Sequence, residues 1–319
     1  MLDVEGLHTV YYAGHDTVPA VRGIDLHVRA GSATALVGES GSGKSTAALS
    51  IMRLVNKPVG EVVKGAVRLD GRDLMQLDGG DMRKVLRRQI GYVPQDPTTA
   101  LDPLFTVRTQ IAEAHPGGSR ADVNRDIVAL LERLGVADAD RRLKSYPHEF
   151  SGGMRQRVAI AIALAKEPQL LIADEPTTAL DVTTQLGILR LLDELRRERD
   201  LALLFVTHDL AVARLVCQDL AVMYAGLVVE SGPIETVMAA PRHPYTRALL
   251  DADSGHAEPQ TRLRAIPGQP PPLTDLPTGC PFAPRCPLAE HACTTAVPRV
   301  DTFGEVRVRC IRADEVEAA

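Results

Sequence analysis

The chain has 319 residues, 45% of them hydrophobic and 24% charged, with a formal net charge of −5 and five cysteines. This is enough for one large domain with an appendage, or for two domains, and it offers no global basic field for nucleic acid. No apolar run nears the ~20 residues that span a bilayer, and the opening MLDVEGL lacks the features of a signal peptide. A cytosolic chain with no membrane span of its own is therefore expected, in which clustered cysteines point to metal or redox chemistry.

Leu2–Leu7 and Ile24–Val28 alternate in part and predict antiparallel strands. Tyr11, in the intervening loop, is either a half-buried strand-edge residue or a stacking platform for a planar ring. Ala33–Val37 reads as a buried strand, and Thr46 to Leu54 as a helix. Between them stands Gly38-Glu39-Ser40-Gly41-Ser42-Gly43-Lys44-Ser45-Thr46, which fits the phosphate-loop pattern G-x-x-x-x-G-K-[ST]. Glycines there let backbone N–H groups wrap a phosphate, and the following helix N-terminus adds partial positive charge. Gly38, Ser40, Gly41, Gly43, Lys44, Ser45 and Thr46 are thus candidate phosphate ligands, with the Ser45 hydroxyl suited to Mg²⁺.

Gly65–Gly71 predicts a strand and turn, Asp81–Arg88 a basic helix, and Ile90–Val93 a short strand ending in a Pro-bounded loop. Gln95 in that loop reads as solvated unless a partner motif recruits it. Helical spacing covers Val107–Ala114, Arg120–Leu134 and Met154–Ala165. Ser151-Gly152-Gly153 opens the last of these as an N-cap with free N–H groups, a second device for binding anions. Leu170–Ala173 leads to Asp174-Glu175 at a strand's C-terminal end, the edge where parallel α/β sheets bind ligands. Asp174 can hold a metal ion and Glu175 can accept a hydrogen bond from an attacking water. Thr178-Ala179-Leu180-Asp181 begins a helix to about Arg199, with Asp181 as its cap. Ala202–Val206 is a further buried strand, ending at Thr207-His208. Leu220–Glu230 reads as a hairpin through Ala225-Gly226.

In this order, these stretches resemble the ATP-binding subunits of ABC transporters over roughly residues 1–240. The Ser-Gly-Gly signature separates that family from other phosphate-loop ATPases. The resemblance implies a phosphate-loop α/β fold, with a RecA-like core, an antiparallel β subdomain and a helical subdomain at about 97–160. It also implies ATP and Mg²⁺. Tyr11 would stack on adenine, Gln95 would touch Mg²⁺, Glu175 would orient or deprotonate water and His208 would stabilise the γ-phosphate. Two such domains close head-to-tail in the family, so Ser151, Gly152 and Gly153 would cap ATP on the partner's phosphate loop, and Asp181 would also belong to the nucleotide site.

Phe150–Val158, Gln95-Asp96-Pro97 and Arg242-His243-Pro244-Tyr245-Thr246 resemble, more narrowly, the oligopeptide/dipeptide permease ATPases. Asp102 departs from the Asn often found in those relatives. The implied function is powering a bacterial importer of peptides. The alternatives are nickel or another small solute and, in a different class, a soluble ABC ATPase outside transport. Implied partners are a second ATPase subunit, as a paralogue, two membrane permease subunits and a separate solute-binding protein. The chain would then sit peripherally on the cytoplasmic face of the membrane.

From Pro241 the composition changes, so 241–319 is expected to form a small irregular Cys-rich domain. His243–Leu250 predicts a short helix, followed by a Pro-rich stretch. Cys280, Cys286, Cys293 and Cys310 follow with C-x5-C-x6-C-x16-C spacing, while Cys217 stands apart as a buried hydrophobe. The spacing lacks the close pairs of structural zinc sites and favours a 4Fe–4S cluster, with zinc or no metal as the alternatives.

Overall fold

The computed structural model describes residues 1–14, 16–177, 180–252 and 266–316. The chain divides into two compact units. The first comprises residues 1–27, 33–75 and 206 onward, and the second residues 28–32 and 76–205.

Unit 1 opens with two long strands, β1 (Leu2–Ala13) and β2 (Asp16–Val28). A buried strand, β3 (Ala33–Val37), follows and leads to helix α1 (Lys44–Ile51). Strands β4 (Gly60–Leu69) and β5 (Arg72–Asp73) complete a four-stranded sheet of order β2-β1-β4-β5. In β1, Leu2, Val4, Leu7 and Thr9 are all buried, although strict alternation would turn Leu7 and Thr9 outward. The register of β1 on β4 slips between Glu5 and His8, where Gly6 takes φ 51°. This irregularity shifts the alternation by one residue, so both halves of the strand face the core. β1 therefore runs through the stretch expected as a loop, and Tyr11 sits opposite Gly60.

Unit 2 contains helix α2 (Gly79–Arg88), capped by Asp78, and β6 (Ile90–Val93). The helical stretch follows: α3 (Pro97–Ala100), α4 (Val107–Ala114), α5 (Arg120–Arg133), α6 (Ala139–Arg142) and α7 (Gly152–Ala165). α4 and α5 both pack on α7, whose Val158, Ile160 and Leu164 are buried. Next come β7 (Leu170–Asp174), α8 (Val182–Arg199) and β8 (Ala202–Thr207), with strands in the order β8-β7-β6. β6 and β7 are parallel, and every residue of β7 is buried, as their unbroken apolar runs require. Thr178 and Ala179, expected at the start of α8, lie outside the described residues.

The chain returns to unit 1 with α9 (Leu210–Val216) and the hairpin β9 (Asp219–Tyr224) to β10 (Leu227–Pro233). Ala225 and Gly226 make the turn, both with positive φ. β9 runs parallel to β3, pairing Thr34 with Asp219 and Val37 with Val222. Helices α10 (Ile234–Ala239), α11 (Pro244–Ala252) and α12 (His291–Thr295) follow, then β11 (Asp301–Phe303) and β12 (Val306–Val308). Here the structure corrects the expectation of a separate irregular Cys-rich domain. The open edge of β10 needs hydrogen-bond partners, and β12 supplies them antiparallel, pairing Val308 with Glu230, with β11 beyond it. The tail thus extends the sheet of unit 1.

Candidate nucleotide-binding site

In unit 1, β3 delivers the chain to the phosphate loop and α1 receives it at Lys44. Gly41 and Gly43 take φ 78° and 103°, the left-handed region that favours glycine. A Cβ on Gly38 would come 2.1 Å from the Met223 carbonyl oxygen, and one on Gly43 2.4 Å from that of Ala20. The loop therefore lies against backbone at both ends, which only glycine permits. Gly226 N–H donates to the Ser42 carbonyl at 2.9 Å and fastens the loop to the β9–β10 turn. Lys44 is buried, and its Nζ donates to the carbonyls of Gly38 (2.7 Å) and Glu39 (2.9 Å). The ammonium is thereby folded over the loop's own concavity. Ser45 and Thr46 lie in the first turn of α1, and Ser40 is exposed in the turn before it. His208 is exposed just after β8, and Asp209 beside it caps α9 by accepting from Val212 N–H at 2.9 Å.

In unit 2, Gln95 is exposed immediately beyond β6. Asp174 is the last residue of β7 and is only 2% exposed. The Tyr92 hydroxyl lies close to it, and burial together with that carboxylate pushes the Tyr92 phenol above its ordinary range. Glu175 follows with φ 46°, a left-handed backbone rarely adopted outside glycine, asparagine and aspartate. Such strain clusters at functional sites, where the surroundings enforce it. Ser151 caps α7, its Oγ accepting from Met154 N–H at 3.4 Å. Asp181 caps α8, and the Thr184 N–H that it accepts at 3.0 Å holds its carboxyl below the ordinary range. Ser151, Gly153, Leu180 and Asp181 line one open cleft of about 370 Å³. Unit 2 thus brings the Ser-Gly-Gly turn and Asp181 together, though they lie far apart in sequence.

The Tyr92–Asp174 contact had no signal in the sequence, because it depends on which strand lies beside β7. Sequence reasoning also missed that Glu39, inside the phosphate loop, is held by Tyr245 and Arg285 of the tail. Tyr245 stood out only as part of the His-Pro-Tyr stretch.

Cys280, Cys286, Cys293 and Cys310 carry free thiols that line one narrow apolar pocket, with His243 and Phe282. Burial pushes the Cys280 and Cys286 thiols up and the Cys310 thiol to about 11, with neighbouring thiols adding to the effect. Among the described residues, no group of three or more His, Cys, Asp or Glu side chains is placed to hold a metal ion. The expected 4Fe–4S cluster, and zinc with it, therefore finds no support here, although the four thiols line one pocket. Cys217 is buried just after α9, as expected.

Among the described residues, no helix is long and apolar enough to cross a membrane. The chain matches the sequence profile "ABC transporter" over residues 21–178. It matches "Oligopeptide/dipeptide transporter, C-terminal region" over residues 229–293. It is 47% identical to a peptide import ATP-binding protein of Brucella ovis, covering 100% of this chain and 98% of that one. It is 41% identical to the oligopeptide transport ATP-binding protein AppD of Bacillus subtilis, over 99% of this chain and 97% of that protein. With OppD of Haemophilus influenzae the identity is 42%, covering 97% and 96%. Among solved structures, it resembles the dimeric ATP-binding cassette MJ0796 bound to ADP and Pi with a TM-score of 0.67. That match is 30% identical and covers 73% of this chain and 99% of the other. Motifs, fold and relatives agree: the chain belongs to the ATP-hydrolysing, ATP-binding subunits of ABC transporters, in the oligopeptide/dipeptide branch.

Proposed function

We propose that this chain binds and hydrolyses ATP to power import of oligopeptides or dipeptides through a membrane permease. The observation that carries the reading is one chain holding both a complete phosphate loop and a Ser-Gly-Gly helix start that shares a cleft with Asp181. Lys44 and the N–H groups of Gly38, Ser40, Gly41, Gly43, Ser45 and Thr46 hold the phosphates. Ser45, Gln95 and Asp174 would hold Mg²⁺, which would supply positive charge against the phosphates. Tyr11 stacks on adenine. Glu175 orients and deprotonates the attacking water, and His208 contacts the γ-phosphate.

Ser151, Gly152, Gly153 and Asp181 face ATP on a second ATPase subunit, a paralogue, so that closure of the pair and hydrolysis are coupled. Two permease subunits and a separate solute-binding protein complete the assembly, with this chain on the cytoplasmic face. Residues 1–240 form the ATPase portion and 241–319 the extension. Support for peptides as cargo comes from the tail match and the relatives' names. A strain lacking this chain is expected to lose growth on di- and oligopeptides as sole nitrogen source. Loss of nickel uptake with peptide growth intact would shift the cargo to the metal.

The tail pocket offers four thiols, which fit a 4Fe–4S cluster in number and donor type. If it binds, Cys280, Cys286, Cys293 and Cys310 hold it, and it supplies a structural staple for the tail. Iron and acid-labile sulfide near four per chain in protein purified without air would support this. Their absence ends the cluster reading, and zinc in their place makes the pocket a zinc clip.

A further inference from the structure

The tail grips the phosphate loop at Glu39. Its backbone N–H donates to the Tyr245 hydroxyl at 2.8 Å. Its carboxylate receives both arms of the Arg285 guanidinium, at 2.7 and 3.0 Å. The Arg285 side chain is only 4% exposed, and it is itself fixed. Its Nε donates to the Pro267 carbonyl at 2.8 Å and its Nη1 to the Tyr224 hydroxyl at 3.2 Å. Its guanidinium also lies 5.8 Å from the ring centroids of Tyr224 and Phe282.

Those two rings and that of Tyr245 pack together, with centroids 4.5 to 5.3 Å apart. The chain has six tyrosines, five phenylalanines and no tryptophan, so three of its few aromatics are spent on this one platform. The Glu39 carbonyl, in turn, is one of the two on which the Lys44 ammonium rests. Contacts run without a break from Arg285 through Glu39 to Lys44.

We propose that Arg285, with Tyr245, is a positioning residue for nucleotide binding, and that it also cancels a charge the phosphate loop cannot leave bare. A carboxylate inside a loop that cradles phosphates repels the ligand unless it is neutralised, and a bidentate guanidinium does this while fixing its direction. The inference rests on the ATP-binding reading of the loop. It adds that the extension tunes ATP affinity from outside the phosphate contacts.

The test is calorimetric titration of the full chain with a non-hydrolysable ATP analogue and Mg²⁺. Wild type, Arg285→Ala, Glu39→Gln and the double variant are compared, with thermal unfolding followed in parallel. Arg285→Ala is expected to weaken binding about 10-fold, one charge-assisted contact's worth. Glu39→Gln alone should bind within about 3-fold of wild type. Adding it to Arg285→Ala should restore most of the lost affinity, because no bare carboxylate then remains. Raising salt should narrow the gap between Arg285→Ala and wild type, since screening weakens repulsion.

A tail that merely staples the fold predicts otherwise: lower unfolding temperatures with unchanged affinity, or a double variant no better than Arg285→Ala. Either result overturns the proposal. If wild type does not bind the analogue, the ATP reading fails and this inference falls with it. If wild type binds and Lys44→Ala does not, the reading stands and the Arg285 variants alone decide.

Discussion

Glu230 lies on β10 with no exposed surface, yet its carboxylate caps the start of the His-Pro-Tyr helix, accepting Arg242 N–H at 2.7 Å and His243 N–H at 2.9 Å. It joins the hairpin shared with the phosphate-loop sheet to α11, and so to Tyr245. Burial pushes its carboxyl up from the ordinary range, against the Arg242 and His243 N–H groups that pull it down.

Replacing this carboxylate separates its two roles. Glu230→Ala leaves two buried N–H groups unpaired and should cost about 2–4 kcal/mol in urea unfolding. Glu230→Gln keeps one acceptor and should cost less. The pH response has a definite sign. A carboxyl whose folded pKa is raised binds more protons folded than unfolded, between its unfolded pKa near 4.3 and its higher folded value. Its contribution to stability is full below the unfolded pKa and declines as pH rises through the folded one. The stability difference between wild type and Glu230→Gln should therefore favour wild type more as pH falls from 7 towards 4.5. A difference independent of pH would contradict the assignment.

The Tyr92 hydroxyl is a donor close to the buried Asp174 carboxylate. Tyr92→Phe keeps the ring and removes that donor. We expect a loss of about 1–2 kcal/mol in unfolding free energy and a raised Mg²⁺ requirement for ATP turnover, read from activity against Mg²⁺ concentration. An unchanged requirement would mean that Tyr92 serves packing alone.

The Ser-Gly-Gly turn faces an open cleft, and a Cβ on Gly153 would approach Leu180 Cδ2 at 3.0 Å. Gly153→Asp puts a negative charge where a partner's γ-phosphate is expected. The isolated variant should bind nucleotide as wild type does, because its own phosphate loop is untouched. Turnover of the assembled ATPase pair should fall at least ~10²-fold. Weakened binding by the isolated variant would place this turn at the chain's own nucleotide instead.

The phosphate loop was legible in the sequence because its glycines answer to local geometry, positive φ at Gly41 and Gly43 and close backbone at Gly38 and Gly43. The helices from Val107 to Ala165 were legible through their periodicity and caps. Features that depend on distant partners were not. The shift at Gly6 that carries Tyr11 into β1 shows only when β4 lies alongside. β11 and β12 have three residues each, too short for a periodic signal, and their partner β10 lies some seventy residues earlier. The Glu39–Arg285 pair joins positions 246 residues apart, so neither charge betrayed the other. The cysteine spacing pointed to a cluster, and the fold brings the four thiols to one pocket, though among the described residues no group is placed to hold a metal ion.

The central claim, that this chain hydrolyses ATP with Glu175 acting on water, is tested most directly by measuring ATP binding and turnover side by side in wild type and Glu175→Gln. The account predicts that the variant binds ATP as tightly as wild type and turns it over at least ~10²-fold more slowly, the range of a lost general base. Turnover near that of wild type would contradict it.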